Sequence, residues 1–231
     1  MDNLRFLKEE EKKELEILFS YKSFPEELQN IVDRGFAIEE EVAKDSLLFI
    51  SMNPSFTKDS WNNGTERGIN STYKIPSYNA PNTNDFFQAI NKFYGELGDN
   101  TPPLAHHDLL FIRETAQKVV LKWKDELEKY NHDFFSKQLD LSKKIIEDSM
   151  PRLIVVLNAG SRVLFKKLFE NKQCNPFFNK DIGAYNYHIG KKNTPVLFSG
   201  MLSGQHALDL GSRESLCWHI RLILNNIEKF M

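Results

Sequence analysis

Arg152-Leu153-Ile154-Val155-Val156-Leu157-Asn158-Ala159-Gly160-Ser161 is the stretch that decides the fold class. A short continuous apolar run is the pattern of a strand buried on both faces, as in a parallel sheet. Asn158 to Ser161 then turns the chain into a helix predicted over 162–170. Working outward, Ser46-Leu47-Leu48-Phe49-Ile50-Ser51 repeats the strand pattern and is stopped by Asn53-Pro54-Ser55. Asp108-Leu109-Leu110-Phe111-Ile112 reads as another strand, followed by Arg113-Glu114-Thr115. Pro195-Val196-Leu197-Phe198 reads as a fourth, ending at Ser199-Gly200. Helices are predicted over 85–97, 133–148 and 212–229. Short apolar strands alternating with helices imply a three-layer α/β/α fold with a four-stranded, mainly parallel sheet.

Ahead of this core, residues 1–45 read as an N-terminal helical cap. Leu4, Leu7, Leu15, Leu18 and Phe19 recur at helical spacing, Ser23-Phe24-Pro25 looks like a second helix start, and Phe36 to Ala43 is expected to form a third short helix. Residues 57–85 are rich in Asn, Ser, Thr, Gly and Pro and are expected to form a long loop, the kind of segment that is usually functional or disordered. The 231 residues are read as one domain.

Composition narrows the partners. Cys174 and Cys217 are too few for a disulfide framework and lack the paired spacing of a zinc site, which suits a reducing compartment. The charged N-terminus lacks the apolar segment of a signal peptide, and no apolar run is long enough to cross a bilayer. A cytoplasmic monomer without membrane contact is expected. Charge is uneven: residues 1–45 carry seven Lys/Arg against thirteen Asp/Glu, and residues 160–231 carry ten against five. A polyanion would prefer the C-terminal part. His106-His107 has only Asp108 at ligand spacing, so no metal is expected there, and no cofactor is implied.

In parallel sheets the ligand crevice lies beyond the carboxyl ends of the strands. The segments 52–56, 113–115, 158–161 and 199–206 should therefore converge. These segments resemble the uracil-DNA glycosylase superfamily. Leu47 to Ser55 is similar to the Gly-hydrophobic-Asn-Pro-Gly motif of its mismatch-specific and single-strand-selective branches, with Asn53 and Pro54 matching and Ser51 and Ser55 replacing the glycines. Pro151 to Gly160 is similar to the strand of the mismatch-specific branch that ends in Asn-Gly. Gly211-Ser212-Arg213 and the helix after it resemble the segment that follows the family's DNA-intercalating loop. There are departures. The family's His-Pro-Ser-Pro loop falls on Ser199-Gly200-Met201-Leu202, which has no His, and its base-reading Asn falls near Phe111 to Arg113, where no Asn occurs.

The resemblance implies a protein that acts on DNA or a nucleobase-containing ligand, hydrolysing the N-glycosidic bond of a damaged or mismatched base. Asn53 would position the water, and His206 would substitute for the missing loop His. Pro54, Ser55, Phe56, Arg113, Asn158, Ser199 and Gly200 would hold the substrate. Met201, Leu202, Ser203, Gly204 and Arg213 would engage DNA, Met201 or Leu202 as an apolar wedge. Other readings stand beside these. Asn before Pro also starts turns; Asn158 also suits a strand-to-helix turn; Arg113 also suits a surface ion pair. At the level of function, the alternative is a module that binds a nucleotide or nucleic acid without cleaving it, and a third is a small-nucleotide hydrolase.

Overall fold

The computed structural model describes residues 3–56, 69–75, 85–129, 132–170, 175–204 and 207–226. The chain folds as an α/β structure around a six-stranded sheet. Its centre is β7 (Leu153–Leu157), all five residues buried, and β4 (Leu47–Ser51), equally buried. They run parallel, with Leu48 opposite Ile154 and Phe49 opposite Val155. β6 (Leu104–Asp108) pairs parallel with β4 on one side, and β10 (Lys192–Ser199) pairs parallel with β7 on the other. Three of these four strands, β4, β7 and β10, fall on runs read as strands from the sequence.

The expected strand count of four is too low. β9 (Ala184–Ile189) and β8 (Phe177–Asn179) extend the sheet beyond β10 in antiparallel fashion. The β9–β10 hairpin turns at Gly190, whose φ of +62° is open to glycine at little steric cost. A Cβ there would also lie 3.1 Å from the carbonyl oxygen of Glu147. The second strand is corrected as well. It covers Leu104 to Asp108, and the apolar run Leu109 to Ile112 follows it as buried chain. His106 and His107 thus lie inside the strand.

Side chains alternate along the strands and feed two cores. Leu48, Ile50, Ile154, Val156 and Val196 pack on one face, against α1 (Glu9–Phe19), α2 (Glu26–Val32), α4 (Gln117–Lys129), α5 (Phe134–Ser149) and α6 (Ala159–Phe169). Leu47, Phe49, Leu153, Val155 and Leu197 pack on the other, against α3 (Asp85–Glu96) and α7 (Leu210–Asn226). Among the described residues no helix is long and apolar enough to cross a membrane.

The N-terminal cap is only partly helical. β1 (Leu4–Phe6) precedes α1, and the segment predicted as a third helix forms β2 (Ala37–Glu39) and β3 (Glu41–Ala43). Ser23 does not cap α2; Pro25 takes that position, and no side chain caps the helix. β1 pairs with β3, and Arg5 and Glu11 form a buried ion pair of 2.6 Å that Lys144 of α5 joins. β2 pairs in parallel with β5 (Ser71–Tyr73), a short strand within the predicted long loop. The rest of that loop, 57–68 and 76–84, lies outside the described residues. The β2–β5 ribbon lies beside β6, where Ala37 N–H donates to the Phe111 carbonyl at 3.1 Å, and there it delivers two side chains to the site.

Phe49 is fully buried and meets the Phe93 ring edge-on at 6.1 Å. Phe49→Ala should cost about 3–5 kcal/mol, read as a lowered urea midpoint with an unchanged slope.

Candidate active site

A crevice of about 470 Å³ opens at the carboxyl ends of the parallel strands. One wall is Asn53, Pro54 and Ser55 after β4, with Glu114, Thr115 and Gln117 before and at the start of α4. The turn Met201 to Gly204 after β10 contributes to the opposite rim. Tyr73, Asp85, Phe86 and Phe87 line it further, and Ser51, His106 and Asp108 form its buried floor. A larger hollow, about 700 Å³, lies between α1 and α5, but the charged residues around it are exposed and no buried polar group faces it.

The floor is a hydrogen-bonded chain, and the register explains it. Phe49 opposes His106 and Ser51 opposes Asp108, so the polar pairs share the face that looks toward α3. His106 Nδ1 lies 2.8 Å from Glu39 Oε1, and its Nε2 lies 2.7 Å from Ser51 Oγ. Ser51 Oγ also donates to Asp108 Oδ1. Tyr73 O–H donates to Glu39 Oε1 at 2.7 Å and lies 3.2 Å from Asp108 Oδ2. His107 points to the other face, its Nδ1 3.2 Å from Glu39 Oε2 and its Nε2 2.8 Å from Ser142 Oγ on α5. Glu39 therefore bridges two histidines from opposite faces of the sheet at its edge. The rings of Phe86 and Phe87 stand edge-on to His106 at 5.2 and 5.3 Å.

The two carboxyls are driven apart. Burial alone would raise the Glu39 pKa, but hydrogen bonds from His106 and then His107, with their charges, outweigh it and hold Glu39 well below the usual carboxylate range. Asp108 goes the other way. Burial pushes it up against the pull of His106, and the charge of Glu39 adds to the rise. Glu39, His106 and Asp108 are metal-type donors within 4.8 Å of one another. The imidazole spans the group, its Nδ1 toward Glu39 and its Nε2 2.7 Å from Ser51 Oγ and 3.8 Å from Asp108 Oδ1.

Asn53 is clamped. Its Nδ2 donates to the carbonyls of Pro54 at 3.0 Å, Ile112 at 3.2 Å and Glu114 at 2.6 Å. The clamp fixes which end of the amide is which. Oδ1 is left buried with no hydrogen-bond partner among the described residues. A buried acceptor of this kind is costly unless a water or ligand donates to it.

No protein-family model matches this sequence, and no curated protein matches it.

The remaining predicted residues divide. Asn53, Pro54, Ser55, Met201, Ser203 and Gly204 line the crevice. Arg113 does not. It is fully buried, donates to the Arg34 carbonyl at 3.1 Å and lies 5.5 Å from the Phe56 ring centre. It serves the packing beneath the wall, because a guanidinium carried on the chain after Ile112 meets the turn after α2 first. Phe56 is likewise buried, under Arg34 at 4.2 Å. Asn158 caps α6, its Oδ1 accepting from Ser161 N–H at 2.8 Å, and its Nδ2 faces Met201 Sδ at 3.4 Å. Ser199 is buried and its carbonyl accepts from Asn158 N–H at 2.9 Å. Gly200 packs against Leu208, and Leu202 joins the core beneath α7. Arg213 pairs with Glu96 at 2.7 Å, away from the crevice. His206 lies outside the described residues.

Glu39, Ser51, His106 and Asp108 do not figure among the residues that sequence reasoning assigns to the site, and Tyr73 figures only as an aromatic that could stack on a base. The available signal was the polar strand Leu-Ala-His-His-Asp, hidden beside the more apolar run that follows it.

Glu39 is the group whose titration should be visible in stability. A carboxylate with a depressed pKa contributes above the ordinary carboxylate range, and the contribution is lost as pH falls. Glu39→Gln should therefore cost about 3 kcal/mol at pH 7 and flatten the fall in stability below about pH 5, measured as Tm by circular dichroism across pH 4–7.

Proposed function

We propose that this crevice hydrolyses the N-glycosidic bond of a nucleobase in DNA or a related ligand, in the manner of the uracil-DNA glycosylase superfamily. The observation that carries the reading is the clamped Asn53, whose buried Oδ1 has no hydrogen-bond partner among the described residues. An amide held in this way accepts one hydrogen of a water molecule and leaves an oxygen lone pair for the sugar carbon. Supporting it, Tyr73, Phe86 and Phe87 offer aromatic surface for a planar base, which an enzyme of this class must first take out of the stack. Among the described residues the lining has no Lys or Arg, which suits an uncharged base better than a phosphate. Met201 to Gly204 stand at the rim, where an apolar side chain can press on a strand.

The second reading, binding without cleavage, draws on the absence of a His in Ser199 to Leu202. One experiment separates the two. Oligonucleotides carrying uracil, hypoxanthine or a mismatch are incubated with the protein and scored for abasic sites. Wild type should produce them on at least one substrate, and Asn53→Ala, checked for an intact fold, should produce them about 100-fold more slowly. No abasic sites from wild type, with gel shifts that weaken as salt rises, would select the binding module.

A further inference from the structure

A glycosidic bond breaks when the base carries off the electron pair of the bond, and an ordinary base needs help with the negative charge it gathers. The loop that supplies a His for this purpose in the family has none here. The crevice holds negative charge in its place.

Three carboxyls line the crevice: Asp85, Asp108 and Glu114. Glu114 is matched by Arg34 at 2.7 Å. Asp85, at the start of α3, is exposed and makes no ion pair among the described residues. Asp108 is buried and accepts from the hydroxyls of Ser51 and Tyr73, which are neutral. His106, 3.8 Å from it, is shared with Glu39 and turns its nitrogens toward Glu39 and Ser51. No Lys or Arg balances these groups in the lining among the described residues.

Aromatic rings stand beside the carboxyls. Phe87 is buried, and Phe86 and Tyr73 are half-buried. Phe87 meets Tyr73 edge-on at 6.1 Å and Phe86 at 5.4 Å. Carboxylates set beside aromatic rings, without a fixed cation, suit a delocalised positive charge. The ring faces and the carboxylates both attract it, most strongly where water is excluded. The same surroundings repel a phosphate, and they repel a base on which negative charge collects.

We propose that the base this crevice takes is positively charged, a purine alkylated on a ring nitrogen, held by Asp85 and Asp108 among Tyr73, Phe86 and Phe87. The proposal rests on the glycosidase reading above and names its substrate class. Such a base leaves without the missing His. As the bond between the sugar carbon and the base nitrogen breaks, its electron pair passes into the ring and cancels the positive charge. The base departs neutral, with no proton added. Water held by Asn53 bonds to the sugar carbon, and its spare proton passes to solvent water. Burial and the charge of Glu39 push the Asp108 pKa up, and a cation brought beside that carboxyl offsets the cost of keeping it ionised.

The test has two arms on the full chain. In the first, calorimetric titration compares 7-methylguanosine, a cation at mildly acidic pH, with guanosine. The methylated nucleoside should bind about 10-fold more tightly, and Asp108→Asn should remove most of that difference. In the second, base release is followed from oligonucleotides carrying 7-methylguanine, uracil or hypoxanthine, each against its protein-free rate. Wild type should speed 7-methylguanine release about 100-fold, and Asp85→Asn, at an exposed position, should cut that rate about 10-fold. Release of uracil or hypoxanthine without 7-methylguanine overturns the cationic base and leaves the glycosidase reading standing. Guanosine bound as tightly as its methylated form, or a 7-methylguanine rate unchanged in both variants, also overturns the cationic base. No release of any base overturns the glycosidase reading, and the cationic ligand then stands or falls on the binding arm. Should Asp108→Asn fail to fold, Asp85→Asn takes its place in both arms.

Discussion

A carboxylate about 2% exposed at the edge of a sheet must be met by donors from every side, and Glu39 is the point on which this structure turns. It takes hydrogen bonds from His106 on one face of β6, from His107 on the other, and from Tyr73 on a strand that belongs to a different sheet. Three otherwise unrelated pieces of chain are thereby held together: β2, β5 and the outer strand of the parallel block. Removing any one donor leaves a buried charge short of partners, which is why the cluster stands or falls as a unit.

The same contact ties architecture to chemistry. Parallel pairing places Ser51 beside Asp108 at the strand ends, and the edge position of β6 lets β2 reach around to both histidines. The crevice is then polar at its floor and aromatic along part of its side. Opposed pKa directions on two carboxyls a few residues' reach apart arise from this layout, since one is surrounded by donors and the other is buried beside a negative charge.

The α/β class and three of the four parallel strands were legible because a fully buried strand is written as an unbroken apolar run, as in Leu153 to Leu157. The β9–β10 hairpin was not, since Ala184 to Ile189 alternates exposed and buried residues and includes Asn186 and His188. The second strand was misplaced because polar residues can be buried when they satisfy one another. His106, His107 and Asp108 do so, while the chain after them is apolar and buried without being a strand. That shift of register also hid the site. Asn53 stood out through its local pattern, whereas Glu39 and Tyr73 reach the crevice only through tertiary contacts that no local spacing encodes. Arg113 drew attention as a charge in an apolar setting, and its carbonyl and ring partners account for it instead.

The Asn53 clamp has a mechanical side. By gripping carbonyls of Pro54, Ile112 and Glu114, one amide rivets the chain leaving β4 to the chain leaving β6. That flank of the crevice behaves as a stiff jamb. The turn across from it is fastened by two backbone bonds, Leu208 N–H to the Met201 carbonyl at 2.8 Å and Ala207 N–H to the Gly204 carbonyl at 3.1 Å. The two flanks are thus held by different means, one by a side-chain amide and the other by backbone bonds of its own turn.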